Sequence, residues 1–243
     1  MAEEDRIIGV FSGKGGVGKT ISAVNLGLAM QELGRDAVCI DGDIESPNIA
    51  LQLGLDPGKT VLNDSESALE NSIYIHGSGL MFVPSAHILH ERSLDPGEVG
   101  NLADRLNGTV LVDAPPGFSR VTRSLMEQVT EAVVVAEPER PALRDAGKTV
   151  SLLEDRGAEI DGVILNRAED EEPVERFEQP LIARVPPHPA VRESIRRSEP
   201  LLDYRPYSRP SLAYRKAAAY LADETYEPPS FPRLRDAVQR IGW

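Results

Sequence analysis

Ile7-Ile8-Gly9-Val10-Phe11-Ser12-Gly13-Lys14-Gly15-Gly16-Val17-Gly18-Lys19-Thr20 is an apolar run that gives way to a glycine-rich loop, and Ile21 to Leu33 beyond it carries a helical pattern ended by Gly34. The run reads as a buried strand. The loop from Gly13 to Thr20 satisfies G-x-x-x-x-G-K-T after a strand and before a helix, the context that this pattern requires. Glycines let the backbone curl so that successive N–H groups point at phosphate oxygens, and the helix N-terminus adds its partial positive charge. Lys19 then neutralises the β- and γ-phosphates, the Thr20 hydroxyl is a ligand to Mg²⁺, and Ile21 completes the contact set. A glycine-rich turn without a ligand would leave the strand, loop and helix order unexplained.

Outward from the loop, apolar runs at 37–40, 80–83, 109–112, 132–136, 162–165 and 180–185 alternate with helical patterns. This alternation predicts one α/β domain over residues 1–226, a doubly wound, mostly parallel sheet with helices on both faces. A proline-rich linker at 227–232 then precedes a short basic amphipathic helix at 233–243. Asp41 and Asp43 follow the second strand and Asp113 closes the run Val110-Leu111-Val112. Carboxylates at the C-terminal ends of parallel strands lie beside the ligand crevice. Asp113 reads as the acid that holds Mg²⁺, directly or through water. Each of the three could instead cap a turn or helix, Asp41 above all.

The formal net charge is -13, which argues against gross attraction to nucleic acid. There are five lysines (Lys14, Lys19, Lys59, Lys148, Lys216), and two of them share the loop. A second ammonium beside Lys19 costs repulsion unless a strongly anionic group lies near, so Lys14 favours a polyphosphate ligand. Cys39, the one cysteine, sits in an apolar run and reads as a small core residue in a reducing compartment. Met1-Ala-Glu-Glu-Asp lacks a secretion signal and no run is long enough to span a bilayer, so the expected location is cytoplasmic.

Lys14-Gly15-Gly16-Val17-Gly18-Lys19-Thr20 resembles the deviant Walker A motif, K-G-G-x-G-K-T, of the MinD/ParA family of ATPases. The similarity runs over roughly residues 6 to 223. It implies ATP and Mg²⁺ as cofactors, slow ATP hydrolysis, and an ATP-dependent homodimer in which Lys14 reaches the partner's nucleotide. Lys14, Lys19 and Asp43 would be the catalytic set, Asp43 positioning the attacking water and joining Thr20 and Asp113 at the metal, with Asp41 in support. Gly117, in Ala114-Pro115-Pro116-Gly117, matches the glycine whose N–H senses the γ-phosphate, although its second proline departs from the commoner small residue. Asn166 would read the adenine edge, and Pro186 and Pro187 would pack the base. Iron–sulfur scaffolds of the family carry paired cysteines, which Cys39 alone does not supply.

Two surface features bear on what such a switch would move. Arg192, Arg196, Arg197, Arg205, Arg209, Arg215 and Lys216 form a locally basic region, as in partition members that bind DNA nonspecifically, though Glu193, Glu199 and Asp203 dilute it. Ordinary ion pairs on a solvated face are the preferred explanation of it. In the tail, Leu234, Val238 and Ile241 share one helical face flanked by Arg233, Arg235 and Arg240. This resembles the membrane-targeting tail of the MinD branch and predicts contact of 231–243 with an anionic membrane surface, made effective by dimerisation. The same residues could pack on the body. The expectation is therefore a MinD-like spatial switch with an unidentified protein partner or activator. A DNA-partition ATPase and a nucleotide-gated binding module with negligible hydrolysis are the rivals.

Overall fold

A computed structural model describes residues 6–55, 73–85, 96–106, 108–169 and 178–227. Eight strands form one sheet in the order β3-β4-β2-β5-β1-β6-β7-β8, with β1 Arg6–Phe11, β2 Ala37–Asp41, β3 Tyr74–Ile75, β4 Met81–Val83, β5 Thr109–Asp113, β6 Glu131–Ala136, β7 Glu159–Asn166 and β8 Leu181–Val185. All neighbouring strands pair in parallel except β3, which runs antiparallel to β4 at the edge. The doubly wound sheet expected from the apolar runs is present.

Those runs are apolar throughout because the sheet is covered on both sides. In β2, Ala37 and Cys39 face one core while Val38 and Ile40 face the other; in β6, Val133 and Val135 oppose Ala132, Val134 and Ala136. The first core is closed by α1 (Lys19–Glu32), α2 (Ile49–Gln52), α6 (Pro189–Arg197), α7 (Leu201–Tyr204) and α8 (Arg209–Leu221). The second is closed by α3 (Val99–Ala103), α4 (Arg120–Met126) and α5 (Arg140–Glu154).

Helix α1 is buried on every side from Ile21 to Met30, so it has no wet face to mark it by periodicity. Its polar residues are tied internally: Ser22 Oγ lies 3.1 Å from the Tyr214 hydroxyl, and Asn25 Oδ1 accepts from Leu202 N at 3.1 Å. These bonds fix α1, and with it the phosphate loop, against α7 and α8. The helix starts at Lys19, two residues before the apolar pattern does, and ends where Gly34 turns at φ 78. No helix among the described residues is long and apolar enough to cross a membrane. Most of the predicted linker and all of the helix at 233–243 lie outside the described residues.

Candidate nucleotide and metal site

Strand β1 lies between β5 and β6; α1, which follows β1, packs on one face of the sheet and α4, which follows β5, packs on the other. The crevice at the C-terminal ends of these strands is where α/β sheets place ligands. Gly18 ends the loop at φ 93 and stands before α1 with no side-chain cap, which leaves the first N–H groups of the helix for a ligand. A Cβ on Gly18 would sit 2.0 Å from Asn166 Nδ2, so the torsion favours glycine and a methyl group there would displace the Asn166 amide. Val17 is buried in the first core and anchors the loop from below. Gly13 passes so close to α5 that a Cβ would lie 2.6 Å from Asp145 O, while Gly15 and Gly16 are exposed at the crown.

Three carboxylates and one ammonium meet beneath the loop. Lys19 Nζ is 2.6 Å from Asp113 Oδ1, and Asp113 Oδ2 is buried without a partner among the described residues. Asp41 is level with Asp113 on the adjacent strand. Its carboxylate accepts from the backbone N–H of Asp43 (3.2 Å), Asn48 (2.9 Å) and Ile49 (3.0 Å), so it fixes the segment that carries Asp43. Burial, and then the charge of Asp113, push its carboxyl up to about 7. Asp43 Oδ1 accepts from Ser46 N at 3.0 Å, and burial raises its carboxyl while Lys19 opposes the rise.

This arrangement fits Mg²⁺ delivered with a nucleotide. Asp113 Oδ2 lacks a partner among the described residues, Thr20 and Asp43 line the same cleft, and the carboxylates outnumber the cation beside them. Among the described residues no three His, Cys, Asp or Glu side chains converge as a metal cage. Mg²⁺ delivered with a nucleotide takes most of its ligands from phosphate and water.

A cleft of about 890 Å³ opens from the loop, lined at one end by Gly16, Gly18, Lys19, Thr20 and Ile21. Asn166, Pro186 and Pro187 line the same cleft, Asn166 beside the loop at Gly18. Asn166 Nδ2 donates to Val17 O at 2.7 Å and its Oδ1 accepts from Arg167 N at 3.0 Å, so its amide braces the loop in this structure. Gly117 N–H donates to Ser12 O at 3.0 Å, a bond that would have to open for it to meet a γ-phosphate. His188 caps α6, its Nδ1 accepting from Ala190 N at 3.1 Å.

Lys14 stands apart from that cleft, its side chain 52% exposed and its Nζ 3.8 Å from Glu137 Oε2. Glu137 also pairs with Arg167, whose Nη2 donates to Gly16 O at 3.2 Å. Neither Glu137 nor Arg167 was singled out from the sequence. The signal was nonetheless there, because Glu137 follows the apolar run 132–136 as Asp113 follows 110–112. Of the C-terminal basic residues, Arg215 pairs with Glu32, Arg209 with Glu169, and Arg197 and Arg205 lie over the Tyr204 ring. Arg192 and Arg196 line the cleft, and Cys39 is buried.

A strand, an amide-lined loop, a lysine under it and an acid on the neighbouring strand define a P-loop nucleotide-binding protein. Residues 3–173 match the family model described as ParA, NUBPL iron-transfer P-loop NTPase, and the chain belongs to this ParA/MinD family of P-loop NTPases. The putative septum site-determining protein MinD of Guillardia theta is 32% identical over 91% of this chain and 90% of that protein. The cell division ATPase MinD of Pyrococcus furiosus shares the fold with a TM-score of 0.79 and 31% identity, over 90% of this chain and 99% of that one. The septum site-determining protein MinD of Pyrococcus horikoshii OT3, solved with Mg-ADP, gives 0.77 and 31%, over 89% and 95%.

Proposed function

We propose that this chain binds Mg-ATP, dimerises on it, hydrolyses it slowly, and uses the cycle as a spatial or assembly switch at a membrane surface, in the manner of MinD. The observation that carries this reading is the division of labour between the two loop lysines. Lys19 is buried inside the cleft and Lys14 is half exposed outside its lining. A cation placed outside its own site is free to serve a second copy's phosphates, the part that an arginine finger plays elsewhere.

Lys19 and the N–H groups of the loop hold the phosphates, Asp43 orients water, and Asn166, Pro186 and Pro187 flank the base. Thr20, Asp43 and Asp113 would hold Mg²⁺, which when bound supplies charge neutralisation across the phosphates. The tail at 231–243 would give membrane residence that depends on having two copies per particle. The paired arginines of the basic region favour an ordinary ion-paired face over a DNA-binding one.

Lys14→Ala should abolish ATP-driven dimers in light scattering while ATP binding persists; undiminished dimerisation would remove the reading. A chain ended after Ser230 should fail to sediment with anionic vesicles in the presence of ATP. If the full chain ignores vesicles and binds DNA with a steep salt slope, partition is the function instead.

A further inference from the structure

Glu137 follows β6 directly, beside Leu165 and Asn166 at the end of β7, because Ala136 is level with Leu165 in the sheet. Its side chain is 11% exposed and stands between two cations of very different standing. Oε1 accepts from Arg167 Nη1, and the same guanidinium reaches Gly16 O through Nη2, so Arg167 is fixed at both ends. Oε2 faces Lys14 Nζ at 3.8 Å, longer than a charge-assisted hydrogen bond of about 2.7–2.9 Å. The Lys14 stem is half in solvent.

The two contacts differ in what their loss would leave behind. Removing the sole partner of a buried carboxylate strands a charge, which is strongly destabilising. Lys14 can leave without that penalty, because Arg167 keeps Glu137 paired. A long, solvated ammonium contact is also weak and screened, which suits an attachment that must open. Side-chain entropy held by the contact is returned to Lys14 when it opens.

We propose that Glu137 is a positioning residue that parks Lys14 on its own protomer, clear of its own cleft, until a second copy's nucleotide competes for the ammonium. The proposal rests on the trans-acting role of Lys14. It makes Glu137 a brake on dimerisation that leaves nucleotide binding by the monomer untouched, with Arg167 holding the brake in place. Two such contacts open for every dimer formed, so their effect on the dimer equilibrium is squared.

The test is sedimentation velocity of the full chain over a range of protein concentrations with Mg-ATP, comparing wild type, Glu137→Gln and Lys14→Ala. Glutamine keeps an acceptor oxygen for Arg167 and removes the charge that holds Lys14. The dimerisation midpoint should fall by between about two- and thirtyfold in Glu137→Gln, with Mg-ATP affinity at monomeric concentrations unchanged. A midpoint equal to or above that of wild type overturns the proposal. If Lys14→Ala is monomeric while the Glu137→Gln midpoint is unmoved, only the parking role has failed. If Lys14→Ala dimerises normally, the trans-lysine reading has failed and this proposal with it. Should Glu137→Gln not fold, Glu137→Asp keeps the charge on a shorter arm; a smaller shift in the same direction supports the proposal, and no shift overturns it.

Discussion

The Lys19 ammonium rests 2.6 Å from Asp113 Oδ1, with 7% and 0% of their side chains exposed. The cation that would grip a triphosphate is thus held by the acid that would hold its metal. One charge neutralises the other where both side chains are buried, and the remaining Asp113 oxygen, partnerless among the described residues, points to what the ligand brings.

Lys19→Ala would therefore cost more than binding. It leaves Asp113 buried with the partner of Oδ1 gone as well, and the chain should lose about 3 kcal/mol of stability in denaturant unfolding. The double change Lys19→Ala/Asp113→Ala should be more stable than Lys19→Ala alone, since neither charge is then stranded. Additive losses would show that the pair is not coupled.

Gly18→Ala and Gly16→Ala separate torsion from space. Both positions have positive φ, but a Cβ at Gly18 strikes Asn166 Nδ2 at 2.0 Å, while at Gly16 it meets nothing within 4 Å. Gly16→Ala should cost about 1 kcal/mol of backbone strain. Gly18→Ala should cost at the upper end of about 1–3 kcal/mol and break the Asn166–Val17 bond as well. Thermal midpoints and nucleotide affinity report the difference, and equal effects would contradict the close approach.

At the opposite end of the sheet, Asp161 shares Arg6 with Glu131, and burial, then Glu131, push its carboxyl up to about 7 while Arg6 opposes. An unfolded aspartate titrates near 3.9, so the folded state binds the proton more tightly. The contribution of Asp161 to stability is full below about pH 4 and is lost as pH rises through about 7. Asp41 slopes the same way, so the difference between wild type and Asp161→Asn isolates this group. Asp161→Asn should gain on wild type in melting temperature from pH 5 to pH 8; parallel curves would contradict the assignment.

Asp43→Ala should cut phosphate release by about a hundredfold or more while ATP-driven dimers persist, as loss of a water-positioning group would. Release that does not fall would favour a nucleotide-gated module with negligible turnover.

How much of this was legible follows from where the information sits. The sheet was readable because strands buried on both faces leave unbroken apolar runs, and the phosphate loop because its glycines and lysines are consecutive. Strand β3 was not, since two residues, Tyr74 and Ile75, make no pattern; its register comes from pairing with Met81 and Phe82. For Asp41 the sequence leaves support of Asp43 or the metal and capping side by side, and the contacts to Asn48 and Ile49 are not readable from it, because an aspartate after a strand looks the same whether it faces a metal or a backbone amide. Partners distant in sequence were least visible. The bonds from Asn166 to Val17 and from Arg167 to Gly16 join segments about 150 residues apart, and only the adjacency of β1, β6 and β7 brings them together.

Titration calorimetry of the full chain with ATP and magnesium addresses the phosphate loop most directly. Saturable heat is expected, lost in Lys19→Ala and retained in Lys14→Ala. Absence of heat for adenine nucleotides up to millimolar concentration would contradict the assignment of this cleft as a triphosphate site.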